Sequence, residues 1–169
     1  MRLSELARQI QNFKKDDIDK LLNLVYSSEL IILLGNGGSN SICSHLAQDY
    51  TKMLGRRSIS FSDPSRLTCY INDFGAGKAY RQFVKDFADK NSLVILISSS
   101  GNSQNIINCA EYCSKNHLNF ITLSGFNKNN KLRTKYKNLS LLDIWVESED
   151  YGVVECAHQA FLHTIIGEY

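Results

Sequence analysis

The sequence has little of what divides a chain into domains or places it in a membrane. It has one proline, Pro64, among 169 residues, and its longest uninterrupted aliphatic runs, at 30–34 and 93–97, hold five residues each. A helix needs about 20 apolar residues to cross a bilayer, so we predict no membrane span. No internal repeat or low-complexity tract is present, and we predict one domain over residues 1–169.

An excess of charge of one sign is also lacking. The 19 Lys and Arg residues and 17 Asp and Glu residues leave a net charge of +2, which does not favour a nucleic-acid or membrane-surface partner. The five cysteines form no CxxC pair, and the N-terminus has no apolar signal-peptide core. We therefore predict a reducing, cytoplasmic location.

What is present is an alternation of short apolar runs and helical periodicity. Strands that are apolar at every position are typical of parallel sheets covered by helices on both faces. The pattern predicts an α/β three-layer sandwich with a five-stranded parallel sheet. We predict strands over 30–34, 58–61, 93–97, 120–123 and 139–146, and helices over 39–54, 77–88, 103–115 and 152–166. Residues 2–27 form two N-terminal helices or one broken helix.

A basic stretch lies between the last two predicted strands. Residues 128–137 hold five Lys and Arg side chains. A solvated loop or helix face explains it most simply, and an RNA- or partner-binding patch is the alternative, weakened because Tyr136 is the one aromatic residue there.

Two glycine-containing loops each follow a predicted buried strand and precede a helix. The first is GNGGS at 35–39, and the second is SSSGNS at 98–103. Glycine lets the backbone approach a ligand closely, and free N–H groups at a helix start bind anions. An N-cap turn would explain Ser103 alone but not four serines. Because the carboxyl ends of parallel strands meet at one edge, both loops are predicted to bind one phosphate.

Two pairs of ionisable residues lie on the helices that follow. His45 and Asp49 are four residues apart and share a helix face, and Glu155 and His163 are eight apart on the last helix. Two histidines with two carboxylates are a plausible zinc-type set if the helices start near one pocket. Without a metal, His45 would be an ordinary packed helix histidine, and Glu155 an exposed first-turn carboxylate stabilised by the helix dipole. His158 is a reserve ligand or a supporting group.

These motifs, in this order and together with SDPS at 62–65 and NDFG at 72–75, resemble the sugar-isomerase (SIS) domain family, and within it the phosphoheptose isomerases. The resemblance runs from about residue 28 to the C-terminus and implies a flavodoxin-like fold. It also implies a homotetramer, built partly by an oligomerisation segment at residues 1–27.

The resemblance assigns a role to each motif. It implies that Asp49 and His163 are the acid–base pair and that a divalent metal, Zn²⁺, is bound by His45, Asp49, Glu155 and His163. The substrate-binding residues it implies, mainly for the phosphate and the sugar hydroxyls, are Asn36, Gly37, Gly38, Ser39, Asp73, Ser98, Ser99, Ser100, Ser103 and Glu155.

The activity implied is conversion of sedoheptulose 7-phosphate to D-glycero-D-manno-heptose 7-phosphate for lipopolysaccharide or capsule. Two departures bear on it, because the family usually has glutamate at the position of Asp49 and glutamine at that of Glu155. Two other functions stay open: an isomerase of another sugar phosphate, and a non-catalytic SIS protein that binds a partner such as a replication initiator.

Overall fold

The computed structural model describes residues 2–167, which form five strands and eight helices. The strands are β1 Leu30–Leu34, β2 Ser58–Ser60, β3 Ser92–Ser98, β4 Asn119–Ser124 and β5 Leu142–Trp145. The helices are α1 Leu3–Gln11, α2 Lys15–Ser27, α3 Gly38–Met53, α4 Pro64–Phe74, α5 Ala76–Phe87, α6 Gln104–Lys115, α7 Lys131–Tyr136 and α8 Tyr151–His163.

The strands form one parallel sheet in the order β2-β1-β3-β4-β5. The central strand β3 is buried at all seven positions, as its apolar sequence predicts. Alternate side chains pack on opposite faces: Ile31 and Leu33 contact the core that includes α2, α3 and α8, whereas Ile32 and Leu34 contact the core that includes α5, α6 and α7. The predicted three-layer α/β architecture is therefore confirmed.

The N-terminal segment forms two helices, and the first lies against the last. Leu6 and Phe13 pack against the small core of Val146, Val154 and Ala157. The buried side chain of Gln9 donates a hydrogen bond to the Glu147 carbonyl at 2.9 Å and accepts one from the Glu147 amide at 3.2 Å. Helix α1 thus holds the loop that leads into α8.

One predicted strand is shorter in the structure, and two helices are additional to those predicted. Strand β5 is four residues long rather than eight, because Leu139 and Leu141 are exposed. Helix α7 occupies part of the basic stretch at 128–137. Helix α4 was not predicted, although Asp63 caps its first turn by accepting the Arg66 amide hydrogen bond at 2.8 Å, Pro64 opens it, and Gly75 ends it with a φ of 75°.

The cysteines are free, and Cys43, Cys109 and Cys113 are buried. Burial raises the pKa of the Cys113 thiol to about 12, so it packs as a small apolar group. Within residues 2–167, every helix is too short or too polar to span a bilayer.

Candidate active site

Two loops meet at the carboxyl ends of β1 and β3, which are neighbours in the sheet. We call residues 35–38 the glycine loop and residues 98–103 the serine loop. In this strand order the connections diverge between β1 and β3, which opens a crevice there. The crevice is a cavity of about 300 Å³ lined by Asn36, Gly37, Gly38, Ser39, Ile97, Ser98, Ser99, Ser100, Ser103, Tyr151 and Glu155.

The backbone of both loops depends on glycine. Gly37 has a φ of 52° and Gly101 a φ of 63°, in the left-handed region that side chains with a Cβ disfavour. A Cβ on Gly101 would also collide with the Asn130 side chain. The loops lead into α3 and α6, neither of which has a side-chain cap on its first turn within residues 2–167, and N–H groups at such helix starts suit an anion.

The serine hydroxyls supply donors without adding charge. Ser39, Ser98 and Ser99 are buried, and the Ser98 hydroxyl donates to the Ser103 hydroxyl at 3.1 Å. The Ser99 hydroxyl has no hydrogen-bond partner within residues 2–167. Leaving a buried donor unpaired costs free energy, and a phosphate oxygen in the cavity would satisfy it.

Glu155 brings a negative charge into this cavity. Its carboxylate lies so close to Gly38 that a Cβ there would collide with it. Burial raises the pKa of Glu155 above its usual value of 4.5. At the start of α3 the carboxylate is stabilised by the helix dipole, so it occupies a position that also suits a ligand anion.

His45, Asp49 and His163 come together farther along α3 and α8. The Nε2 atoms of His45 and His163 each lie 3.3 Å from the same Asp49 oxygen, Oδ2, and the three ligand atoms lie within 4.8 Å of one another. We call these residues the His–Asp–His cluster. Glu155, the fourth predicted metal ligand, is not part of it.

The chemistry of this donor set fits a divalent cation. His163 Nδ1 lies 2.9 Å from the Gln159 carbonyl, which can only accept, so Nδ1 carries a proton. In neutral His163 the bare Nε2 therefore faces a carboxylate oxygen, a repulsive contact that a cation or a second proton relieves. Two histidines and one carboxylate with an open position are also the donor set of catalytic zinc sites.

The cavity and the cluster lie along one seam between α3 and α8. Glu155 meets Gly38 at the start of the seam, and His163 meets Asp49 near its end. Between the helices, the buried Tyr50 hydroxyl donates to the Leu162 carbonyl at 2.8 Å. Six residues separate Ser39 from His45, about 9 Å of helix rise.

Two residues named from the sequence lie elsewhere. Asp73 is exposed at the end of α4, where it accepts hydrogen bonds from Asn72 at 3.0 Å and Cys69 at 3.6 Å, and it does not line the cavity. His158 is fully buried, and its Nε2–H donates to the Ser124 carbonyl at 3.1 Å. Burial lowers the pKa of His158 to about 4, so it is neutral and bonds to β4 rather than to the cluster.

Tyr151 lines the cavity and was not expected from the sequence. It packs edge-on against Phe126, with ring centroids 4.7 Å apart. It precedes Glu155 by four residues, so the two share a helix face. That spacing was a signal the sequence offered once Glu155 had been chosen.

Comparison with known proteins identifies the family. The SIS domain family matches residues 2–125. The phosphoheptose isomerase of Buchnera aphidicola (subspecies Acyrthosiphon pisum, strain Tuc7) is 31% identical over 169 residues, covering 96% of this chain and 84% of that protein. The phosphoheptose isomerase of Fusobacterium nucleatum is 30% identical over 152 residues, covering 87% and 76%.

A solved structure extends the similarity to the fold. Phosphoheptose isomerase GmhA from Neisseria gonorrhoeae superposes with a TM-score of 0.84 at 22% identity, covering 97% of this chain and 93% of that one. The chain therefore belongs to the SIS domain family, in the group of sugar-phosphate isomerases that contains the phosphoheptose isomerases.

Proposed function

We propose that this protein is a phosphoheptose isomerase that converts sedoheptulose 7-phosphate to D-glycero-D-manno-heptose 7-phosphate. The observation that carries the proposal is the seam between α3 and α8. It has backbone N–H groups and hydroxyls suited to a phosphate at one end, with Glu155 beside them, and the His–Asp–His cluster at the other. The relatives named above support the seven-carbon sugar.

The loop end of the seam binds the phosphate. The α3 and α6 N-termini offer backbone N–H groups, and Ser99 offers a buried hydroxyl that has no other partner within residues 2–167. The phosphate is remote from the reacting carbons, so its binding energy orients them against the cluster. The spacing between Ser39 and His45 suits a substrate whose phosphate and carbonyl lie at opposite ends.

The cluster end moves the protons. Isomerisation removes a proton from the carbon beside the carbonyl and delivers one to the neighbouring carbon through an enediol. Asp49 makes one transfer, because its Oδ2 faces both histidines and its other oxygen remains for the substrate. His163 makes the other, since the Gln159 carbonyl fixes its ring so that Nε2 faces the site.

The same residues would hold a metal. His45 and Asp49, with His163 when its Nε2 carries no proton, would bind one divalent cation, for which Zn²⁺ is our prediction. Such an ion supplies Lewis acidity that polarises a carbonyl oxygen and stabilises the enediolate.

An isomerase assay on purified protein with sedoheptulose 7-phosphate, run with added Zn²⁺ and with a chelator, tests activity and metal dependence together. Asp49→Asn and His163→Gln should each abolish turnover while the fold is retained. Gln48→Ala, an exposed neighbour on α3, is the matched control and should stay active. Absence of turnover by the wild-type protein under both conditions would refute the proposal.

Two departures from the family pattern support a second candidate, an isomerase of another sugar phosphate. Asp49 is one methylene shorter than the usual glutamate, which changes the reach of the base, and a displacement of about 1 Å costs up to roughly 10²-fold in rate. Glu155 adds a charge next to the phosphate cradle. Turnover of five- and six-carbon ketose phosphates in the same assay distinguishes the two.

A non-catalytic SIS protein that binds a partner is the third candidate. The departures at Asp49 and Glu155 favour it. The retained His45 and His163 argue against it, because partner binding does not require the two histidines to converge on one carboxylate. It would gain support if the protein bound phosphate but no sugar phosphate were turned over.

The assembly and location are part of the same proposal. Leu3 and Ile10 on α1 and Ile71 and Phe74 on α4 expose apolar surface, which supports a homotetramer built partly by residues 1–27. Light scattering tests this, and a monomer would contradict it. A cytoplasmic location and a role in lipopolysaccharide or capsule synthesis remain predictions.

A further inference from the structure

A pair of asparagine side chains joins the glycine loop to the first turn of α6, the helix that follows the serine loop. Asn36 Nδ2 donates to Asn105 Oδ1 at 3.0 Å, and Asn105 Nδ2 donates to Asn36 Oδ1 at 2.8 Å. The residues are 69 apart in sequence, one in the glycine loop and one in the first turn of α6. The strands β1 and β3 position only the residues where each loop begins. The reciprocal pair therefore adds a second constraint, which fixes the glycine loop relative to the start of α6.

The pair leaves part of each amide available. A primary amide has two N–H donors and two acceptor lone pairs, and the pair uses one of each on Asn36. The remaining donor and acceptor of Asn36 are free for a ligand in the cavity that Asn36 lines. Asn105 does not line that cavity, so its effect on a ligand passes through Asn36.

The glycine loop has a physical need for such a tether. Gly35, Gly37 and Gly38 surround Asn36, and Gly37 has a φ of 52°. Glycine-rich backbone loses much conformational entropy when a ligand orders it. A side chain anchored to a helix before the ligand arrives reduces that cost at the binding step.

Asn105 also lies beside the serine loop. Ser103, two residues earlier, is the N-cap of α6, and its hydroxyl accepts from Ser98 at 3.1 Å. The first turn of α6 thus contacts the serine loop through Ser103 and the glycine loop through Asn105. A shift of this turn would move both loops together.

We infer that Asn105 is a positioning residue that holds Asn36 and the glycine loop in the geometry that binds the substrate phosphate. The inference rests on the proposed function, because it assumes that the cavity binds phosphate. It assigns Asn105 a role in affinity rather than in proton transfer, since the His–Asp–His cluster lies farther along the seam.

The test measures binding of inorganic phosphate by calorimetry, and then KM and kcat for sedoheptulose 7-phosphate. Asn105→Ala should weaken phosphate binding about three- to tenfold, as expected for loss of one or two exposed hydrogen bonds. KM should rise by a similar factor while kcat changes less than twofold. Asn105→Ser is the second variant, for use if Asn105→Ala folds poorly.

A double-mutant cycle separates tethering from general stabilisation. Asn36→Ala should weaken binding more than Asn105→Ala, and the double variant should bind no more weakly than Asn36→Ala alone. Asn108→Ala is the matched control: it lies one turn along α6, is equally half-buried, and donates to the Gly77 carbonyl at 2.6 Å instead. It should leave phosphate binding unchanged.

The outcomes distinguish a failure of this inference from a failure of the proposed function on which it rests. If the wild-type protein binds no phosphate, the proposed phosphate site fails and the role of Asn105 fails with it. If the wild-type protein binds phosphate and Asn105→Ala binds equally well, only the role of Asn105 is wrong. Multiplicative losses in the double variant would likewise overturn the tether.

Discussion

The two ends of the seam between α3 and α8 are built in different ways. The loop end consists mainly of backbone N–H groups and hydroxyls from two contiguous segments of sequence, and Glu155 is the one carboxylate among its lining residues. The cluster end consists of three ionisable side chains from two helices, and Asp49 and His163 are 114 residues apart. A local motif can specify the first, whereas the second exists only when two helices pack in one register.

The difference in chemistry follows from the difference in construction. Backbone N–H groups do not titrate in the physiological pH range. The loop end can therefore bind an anion without a basic residue, and its donors do not change with pH. The cluster end needs groups that take up and release protons near neutrality. Variants should therefore separate into those that change affinity and those that change turnover.

The largest effect is expected at the cluster end. His163→Gln removes a group that we propose transfers a proton, and it should lower kcat about 10²- to 10⁴-fold. Inorganic phosphate should bind to this variant within about twofold of the wild-type affinity, because the loop end is intact. Calorimetry and steady-state kinetics on the same sample check both halves. A parallel loss of phosphate affinity would show that the two ends are not separable.

His158, which lies on α8 between the ends, should make the fold acid-sensitive. Burial lowers its pKa from 6.5 to about 4, so between these values the unfolded chain takes up a proton that the folded chain does not. The stability is fully present above pH 6.5 and is lost as the pH falls toward 4, by about 3 kcal/mol in total.

Urea unfolding from pH 7 to pH 4 measures this loss. His158→Gln should flatten the pH dependence by that amount, and His117→Asn, at an exposed histidine, should not. Equal slopes for the wild-type protein and His158→Gln would contradict the assignment of a neutral His158.

At the loop end, Ser99→Ala should weaken binding but not stability. The buried hydroxyl has no partner within residues 2–167, so its removal should leave the free energy of unfolding unchanged or raise it by up to about 1 kcal/mol. Without the bond to a phosphate oxygen, KM should rise about tenfold. Thermal unfolding with and without phosphate is the measurement, and a destabilised apo protein would show that Ser99 has a structural role.

The smallest effect is expected from Glu155→Gln. Its carboxylate lies in the phosphate cavity against Gly38, so removing the charge should tighten phosphate binding about threefold at low ionic strength and less at high salt. Calorimetric titrations at two salt concentrations check this. Weaker binding in the variant would show that Glu155 helps to hold the ligand, through a cation or a proton.

Much of the fold could be predicted because its strands and most of its helices follow short-range patterns of apolar residues. The run at 30–34 and the strand β3 are apolar at nearly every position, which a parallel sheet requires. Helix α4 was not predicted, although Leu67, Tyr70, Ile71 and Phe74 recur at helical spacing and Leu67 and Tyr70 pack against the core. Its Asp63–Pro64 start and Gly75 end were further signals.

In the candidate site, too, the residues carried by local motifs could be predicted better than those whose position depends on packing. Nine of the ten residues predicted to bind substrate line one cavity, because the loops that carry most of them follow adjacent strands. Asp73 does not, since it lies near the end of α4, a helix that was not predicted. His45 and Asp49 were a credible pair because helix geometry alone puts them on one face.

The sequence by itself determined the two glycine-containing loops, the alternation of strands and helices and, through the order of its motifs, the family and the isomerase class that the relatives confirm. Only the tertiary structure decided which residues of α3 contact which residues of α8. It placed His163 against Asp49 and Glu155 against Gly38, and it joined Asn36 to Asn105. The physical reason is that local motifs fix the backbone over a few residues, whereas the register of two packed helices depends on side chains contributed by the whole core.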